Sequence, residues 1–337
     1  MRVLLAASFI FALLSVGCGT SVGPADAGSP GDAGHPSDAG FDAGPTDAGL
    51  SDAGTSDAGA NDAGATDGGT PYDGGLVAAR PYTLFVPTGL DGGPAPLVVL
   101  LHGYSASGAI QESYFQLTPV AQANQFLYAY PDGTVDSAGY RFWNATDACC
   151  NFYGSTVDDV AYVNAVIDDV EHQYNVDPKR IFIVGHSNGA FMAHRLGCDS
   201  TGRIAAIVSL AGAQWLDLSH CHPQGTLSVL QVHGTADATI AYDGGSAAVG
   251  SPGFPSAPTT VADWAMFDSC GPVDAAMPPN LDIDQAILGS ETVVSRYTSC
   301  SGSAVELWTI QGGSHIPSLG SNWGPLIYGF LSAHPKP

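Results

Sequence analysis

Beyond about residue 80, apolar side chains gather into two kinds of run that alternate along the chain. The first kind is short and almost wholly apolar: 97–101, 126–130, 181–184, 205–210, 228–232 and 305–310, with 82–86 as an earlier strand. Side chains alternate faces along a strand, so a strand that is apolar at every position is covered on both sides, as in parallel sheets. The second kind repeats at helical spacing. Over 158–174, Val160, Val163, Ile167, Val170 and Tyr174 recur every three or four residues, with Asp168, Asp169 and Glu171 largely on other faces. Asp177-Pro178 then breaks the chain before the strand that starts at Ile181. Strands alternating with helices of this length predict the α/β class, a doubly wound, mainly parallel sheet with helices on both faces. Sites in such sheets form at the carboxyl ends of the strands.

This pattern is missing from the N-terminal part. Arg2 precedes a mostly apolar run over 3–16, too short for a comfortable membrane span and shaped like a signal peptide. It ends in Leu14-Ser15-Val16-Gly17-Cys18, which is similar to the lipobox of bacterial lipoproteins, where the Cys carries lipid; Ser15 stands where Leu is usual. We expect 1–18 to be an export signal with Cys18 lipidated, so that the mature protein is exported and either lipid-anchored at the cell envelope or secreted; simple cleavage nearby, leaving Cys18 free, is the alternative. Residues 19–75 repeat Asp-Ala-Gly about every five residues, with ten Asp and no Lys or Arg. Too few apolar side chains are present to offset the entropy of ordering, so a disordered spacer is expected. Calcium binding is the alternative, but the spacing matches neither the EF-hand loop nor the nonapeptide calcium repeat. The remainder, 76–337, suits one domain.

The formal net charge is −23, and the folded part has no basic patch, which argues against nucleic acid partners. Apart from Cys18 there are six cysteines, and none has zinc-site spacing with His. In an exported chain they are expected to form disulfides. Six allow fifteen pairings; proximity favours Cys198 with Cys221 and Cys270 with Cys300, leaving Cys149 and Cys150 to pair with each other. No metal or organic cofactor is expected.

The candidate chemistry sits at strand ends. The 181–184 strand runs into Gly185-His186-Ser187-Asn188-Gly189, and a helical stretch follows at once. That is the strand–turn–helix setting in which a G-x-S-x-G serine projects above a sheet, at a helix N-terminus that favours negative charge. A serine hydroxyl needs a base to act as a nucleophile near neutral pH. In this arrangement the acid and then the His follow later strands. Asp237 follows the 228–232 strand and His315 follows the 305–310 strand, so His315 is the expected base and Asp237 its orienting carboxylate. Asp243 and Asp268 are rival acids, and His233 and His220 rival bases. The oxyanion of an acyl-transfer intermediate needs two amide donors. The N–H of Asn188 is one; the N–H of Tyr104, in His102-Gly103-Tyr104 after the 97–101 strand, is the other, with Gly103 the alternative. His102 is expected to pack and hydrogen-bond beneath the site.

From about 80 to 333 the chain resembles secreted esterases of the polyhydroxybutyrate depolymerase and feruloyl or acetylxylan esterase group. The resemblance rests on Pro96-Leu97-Val98-Val99-Leu100-Leu101-His102-Gly103, Pro131-Asp132-Gly133, Phe142-Trp143-Asn144 with Cys149-Cys150, and Val157-Asp158-Asp159-Val160. It continues through Val176-Asp177-Pro178-Lys179-Arg180, Ser187-Asn188-Gly189-Ala190, and His233-Gly234-Thr235-Ala236-Asp237 with Tyr242-Asp243-Gly244-Gly245. It implies the α/β-hydrolase fold, the triad Ser187, Asp237 and His315, and a Cys270–Cys300 bridge. The chain departs from the group at Gly312-Gly313-Ser314-His315-Ile316-Pro317, where Gly-Gly-Gly-His is often followed by Thr-Trp-Pro; the base is kept and the aromatic beside it is not. Trp143, Tyr153 and Trp215 are candidate aromatics for a substrate groove. The expected function is hydrolysis of carboxylic esters through an acyl-enzyme, with feruloyl or acetyl esters of plant cell-wall polysaccharide as substrate. Polyhydroxyalkanoate depolymerisation is the alternative substrate class, and a catalytically silent polymer-binding protein the alternative of another kind.

Overall fold

The structure is a computed structural model that describes residues 74–275 and 281–337. The export signal, Cys18 and the repeat up to residue 73 lie outside the described residues. Gly74 and Gly75 already belong to helix α1 (Gly74–Ala79), so helical structure begins two residues before the boundary expected at 76.

The described residues build a nine-stranded sheet from β1 (Tyr82–Phe85), β2 (Ala95–Leu101), β3 (Leu127–Pro131), β4 (Val176–His186), β5 (Ala206–Leu210), β6 (Ser228–Gly234), β7 (Val273–Ala275), β8 (Thr292–Tyr297) and β9 (Val305–Ile310). Their order is β1-β3-β2-β4-β5-β6-β9-β8-β7. Strands β3 through β9 in that order are parallel, and β1, β8 and β7 join antiparallel at the margins. The fully apolar runs are therefore the parallel centre, as their composition requires. Strand β4 is longer than expected. Val176 already pairs with Ala95, and the register is irregular before Leu97 meets Ile181, so Asp177-Pro178 is absorbed in the irregularity instead of ending the strand.

Alternation along β2 divides its side chains between two cores. Leu97, Val99 and Leu101 face one and Val98 and Leu100 the other. Helices α4 (Asp159–Gln173), α5 (Asn188–Asp199) and α6 (Ala257–Phe267) supply Val163, Val166, Ile167, Phe191, Leu196 and Trp264 to the first core. Helices α2 (Gly108–Phe115), α3 (Thr118–Asn124) and α7 (Trp323–Ala333) supply Phe115, Val120, Ile327 and Phe330 to the second. Helix α4 is the 158–174 periodic stretch, and the Asp158 carboxylate caps it by accepting from Ala161 N–H at 2.9 Å. Cys149–Cys150, Cys198–Cys221 and Cys270–Cys300 are disulfide-bonded. Among the described residues no helix is long and apolar enough to cross a membrane.

Candidate active site

The parallel strands end on one side of the sheet, and Ser187, Asp237, His315 and the 102–104 loop collect there. Strand β4 turns into α5 at Ser187, whose φ of 54° and ψ of −122° are rare for a residue with a side chain. Backbone bonds hold that conformation: Ser187 N–H donates to Leu210 O at 2.9 Å, and its carbonyl accepts from Ala190 and Phe191 N–H at 2.8 and 3.0 Å. The flanking glycines are needed because the turn brings backbone into contact. A Cβ at Gly185 would overlap the Gly189 carbonyl, and one at Gly189 the Leu101 carbonyl.

Three side chains from three strand ends then meet. His315 Nε2 lies 2.9 Å from Ser187 Oγ, and His315 Nδ1 lies 2.8 Å from Asp237 Oδ2. Asp237 is fixed on its other oxygen, where Oδ1 accepts from Thr239 and Ile240 N–H at 2.8 and 2.9 Å. Burial opposes its ionisation, but hydrogen bonds from His233 and His315 outweigh that and hold the carboxyl well below the usual range. A carboxylate in this state accepts the Nδ1 proton, so Nε2 of His315 presents a lone pair to the serine.

The loop after β2 lies against the serine, since a Cβ on Gly103 would sit 3.3 Å from Ser187 Cβ. Gly103 N–H already donates to Gln111 Oε1 at 3.2 Å. That removes it from the two candidate oxyanion donors and leaves Tyr104 N–H beside Asn188 N–H. The loop rests on His102. His102 Nε2 accepts from Gly133 N–H at 2.8 Å, so its Nδ1–H donates to Gly103 O at 2.8 Å. Burial lowers its pKa to about 4, so the ring is a neutral strut near pH 7.

A family model described as phospholipase/carboxylesterase matches residues 155–250, a span that holds the serine elbow and Asp237 but stops before His315. Acetyl xylan esterase from Aspergillus awamori superposes on the chain with a TM-score of 0.52 at 15% identity, over 73% of this chain and 93% of that one. The chain has the α/β-hydrolase fold. In sequence it is similar to feruloyl esterase B of Piromyces equi, 28% identical over 242 residues, which are 69% of this chain and 42% of that protein. It is also similar to poly(3-hydroxyalkanoate) depolymerase C of Paucimonas lemoignei, 24% identical over 258 residues, 70% of this chain and 59% of that protein. The chain thus spans less than two thirds of the length of either curated relative.

The rivals weighed in the sequence take no part in the Asp237–His315–Ser187 series. Asp268 is at the opposite end of β6, where its carboxylate accepts from Leu227 N–H. Asp243 is exposed, and His220 packs edge-on against Trp215 with ring centroids 4.9 Å apart. His233 Nε2 lies 2.8 Å from Ile240 O and 3.4 Å from Asp237 Oδ2.

The groove assignment needs one correction. Trp143 is fully buried; its indole N–H donates to His102 O at 3.0 Å, and its backbone N–H and C=O pair with the Asn188 amide at 2.6 and 3.0 Å. It stacks over Tyr162 beneath the 102–104 loop and is sealed from any groove. Asp159, in the Val157–Val160 motif, is buried beside it, pairs with Arg80 at 2.7 Å and accepts from Asn144 N–H at 2.7 Å. Tyr153 is exposed and Trp215 half-buried. Tyr104 packs against Tyr140 and Phe152, both about half exposed, with centroids 5.7 and 5.2 Å away.

Two site residues escaped the sequence reading. His186 Nε2–H donates to the His315 carbonyl at 3.0 Å, and Tyr114 O–H donates to Pro317 O at 2.7 Å; together they pin the loop that carries the base. Burial, then the neighbouring His315, lowers the His186 pKa to about 3, so it stays a neutral donor. Its place between Gly185 and Ser187 carries no signal for that role, since the contact is made across 129 residues.

Proposed function

We propose that this chain is a serine carboxylic ester hydrolase acting through an acyl-enzyme. The observation that carries the reading is the unbroken hydrogen-bonded series Asp237–His315–Ser187. Ser187 Oγ attacks the ester carbonyl carbon while its proton passes to His315 Nε2. The carbonyl oxygen becomes an oxyanion that the N–H groups of Tyr104 and Asn188 stabilise. His315 returns the proton to the departing alcohol as the ester C–O bond breaks, which leaves the acyl group on Ser187. Water then attacks by the same route in reverse and releases the acid. Ser187→Ala should abolish turnover of short p-nitrophenyl esters with the fold intact by circular dichroism; retained turnover in a pure sample would sink the proposal.

For the substrate we propose feruloyl or acetyl esters on plant cell-wall polysaccharide. Similarity to a feruloyl esterase and the exposed rings of Tyr140, Phe152 and Tyr153 near the oxyanion loop support this. Similarity to a poly(3-hydroxyalkanoate) depolymerase supports the second reading. Methyl ferulate, acetylated xylan and hydroxybutyrate oligomers, compared by kcat/KM on one sample, separate the two. We further propose that the chain is exported and held by lipid on Cys18; equal membrane association of Cys18→Ala would refute the anchor.

A further inference from the structure

Strand β6 carries two polar side chains, Gln231 and His233, on a face otherwise sealed by apolar packing, and neither is used in the mechanism above. Both are essentially without solvent contact, as are His194 on α5 and Trp264 on α6. The four form one hydrogen-bonded row. Trp264 Nε1 lies 3.0 Å from His194 Nδ1, His194 Nε2 lies 3.0 Å from Gln231 Oε1, and Gln231 Nε2 lies 3.2 Å from His233 Nδ1. His233 Nε2 then sits 2.8 Å from Ile240 O and 3.4 Å from Asp237 Oδ2.

The direction of this row has one solution. An indole N–H only donates, so His194 Nδ1 accepts and its proton is on Nε2. That proton goes to Gln231 Oε1. The Gln231 nitrogen must donate, and it also meets a second pure acceptor, Gly212 O, at 2.8 Å. His233 Nδ1 therefore accepts, and the His233 proton is on Nε2, facing Asp237 and Ile240 O. Each ring has its tautomer set by its neighbour, with no water needed at any link.

We infer that Trp264, His194 and Gln231 are positioning residues, which fix His233 as an Nε2–H donor and so supply Asp237 Oδ2 with a second donor beside His315. Asp237 then meets three close donors, two backbone N–H groups on Oδ1 and His315 on Oδ2, and Oδ2 also faces His233 Nε2–H at 3.4 Å, a proton it shares with Ile240 O at 2.8 Å. The second Oδ2 donor has two effects. It locks the carboxylate plane against rotation, and it shares the charge that would otherwise act on His315 alone. Sharing weakens the pull of Asp237 on the His315 Nδ1 proton, an effect that the acidic limb of kcat/KM reads. The titratable groups facing Asp237 and His315 are His233 and His186, and Tyr242 lies edge-on to His233 at 5.8 Å. Burial lowers the His194 pKa to about 4, so that ring stays neutral over the working range.

The inference rests on the triad reading above, and its first test is independent of activity. In the full chain carrying 15N-histidine, long-range 1H–15N correlation spectra report each tautomer. At pH 8 His194 and His233 should both be Nε2–H forms; His233 in the Nδ1–H form overturns the inference even if the protein is an active esterase. The second test is Gln231→Met, which keeps the length of the side chain and removes its donor and acceptor. We expect kcat to fall about tenfold, KM to stay within about twofold, and the acidic limb of kcat/KM to move upward by about half a pH unit. A lower melting temperature with unchanged kcat and unchanged limb means that the row only packs, and refutes the inference. Should that variant not fold, the spectra of the unaltered chain decide.

Discussion

Replacing Asp237 by Asn tests whether this carboxylate sets the proton positions of the site. Its two oxygens face different partners, and the amide has to choose between them. In one orientation the Asn nitrogen takes the Oδ2 position, opposite His315 Nδ1, and the oxygen keeps the Thr239 and Ile240 N–H groups. The amide then donates to His315, whose proton moves to Nε2, where it confronts Ser187 Oγ–H and no lone pair remains to receive the serine proton. In the other orientation the oxygen keeps His315, but the NH2 group faces two buried backbone donors. Each donor left unsatisfied costs about 1–3 kcal/mol, so this orientation costs about 2–6 kcal/mol. The first orientation disturbs one short bond and the longer His233 contact, and His233 retains Ile240 O at 2.8 Å. It is the cheaper of the two. The expected result is therefore a kcat lower by about 10⁴, or about 5 kcal/mol of transition-state stabilisation, with a nearly unchanged melting temperature. KM should change little, because Asp237 touches no substrate. The assay is p-nitrophenyl acetate hydrolysis at saturating substrate, with a thermal melt on the same sample. A kcat within tenfold of the unaltered chain, at equal melting temperature, would refute the reasoning.

Three further outcomes follow from the structure. Arg80→Ala should lower stability by about 3–5 kcal/mol in a urea titration, because it strips the Asp159 carboxylate, which has no solvent contact, of its cation; Asp159→Asn in the same background should recover part of the loss. Replacing Cys198 and Cys221 together by Ser opens a loop of sequence separation 23, and should cost about 3 kcal/mol by the same measurement. Stability should also fall from pH 6.5 towards 4. Burial holds His102, His186 and His194 at about 4, about 3 and about 4, so in this window the unfolded chain binds three protons that the folded chain refuses. The slope approaches about 4 kcal/mol per pH unit for the three together, Asp237 adding to the loss only below about pH 4. Urea midpoints equal at pH 7 and pH 5 would contradict it.

The central sheet was legible because its physics is local and repetitive. A strand buried on both faces carries few charges, and the runs 97–101, 126–130, 181–184, 205–210 and 228–232 are free of them; 305–310 holds one, Glu306, which pairs with Arg296 of the neighbouring strand at 2.7 Å. The antiparallel strand β8, Thr292–Tyr297, escaped because it lies near the sheet margin and mixes Ser295 and Arg296 with Val293 and Val294. Its partner β9 was legible by contrast, since all six of its residues are buried. The serine elbow was legible for a different reason. Its glycines are imposed by backbone approaching backbone, and no other residue type satisfies that contact.

Side-chain direction is another matter, and Trp143 shows why. An aromatic ring suits a groove and a core equally, and the choice is made by partners far away in sequence: Arg80 and Tyr162 on one side, His102 and Asn188 on the other. None of those pairings leaves a trace in the local pattern around Phe142-Trp143-Asn144. Gln231 and His233 did leave one. Two polar residues two apart on one face of a buried strand require buried partners, and those partners prove to be His194 for Gln231 and Ile240 O, with Asp237 close by, for His233.

The same contrast separates chemistry from substrate. The proposed reacting groups are held by backbone geometry at strand ends, so their order in the sequence carries the proposed mechanism. The surfaces next to them are irregular loops bearing Tyr104, Tyr140, Phe152, Tyr153 and, beside His315, the exposed Ile316. A branched aliphatic where related chains often carry Trp beside the base offers apolar area without a flat face. If that residue contacts the acyl group, Ile316→Trp should raise kcat/KM for methyl ferulate more than for p-nitrophenyl acetate, because an aromatic acyl group gains about 0.5–1.5 kcal/mol from ring contact that an acetyl group cannot make. Equal gains or losses on both esters would place Ile316 outside the acyl site and leave discrimination to the Tyr104 side of the serine.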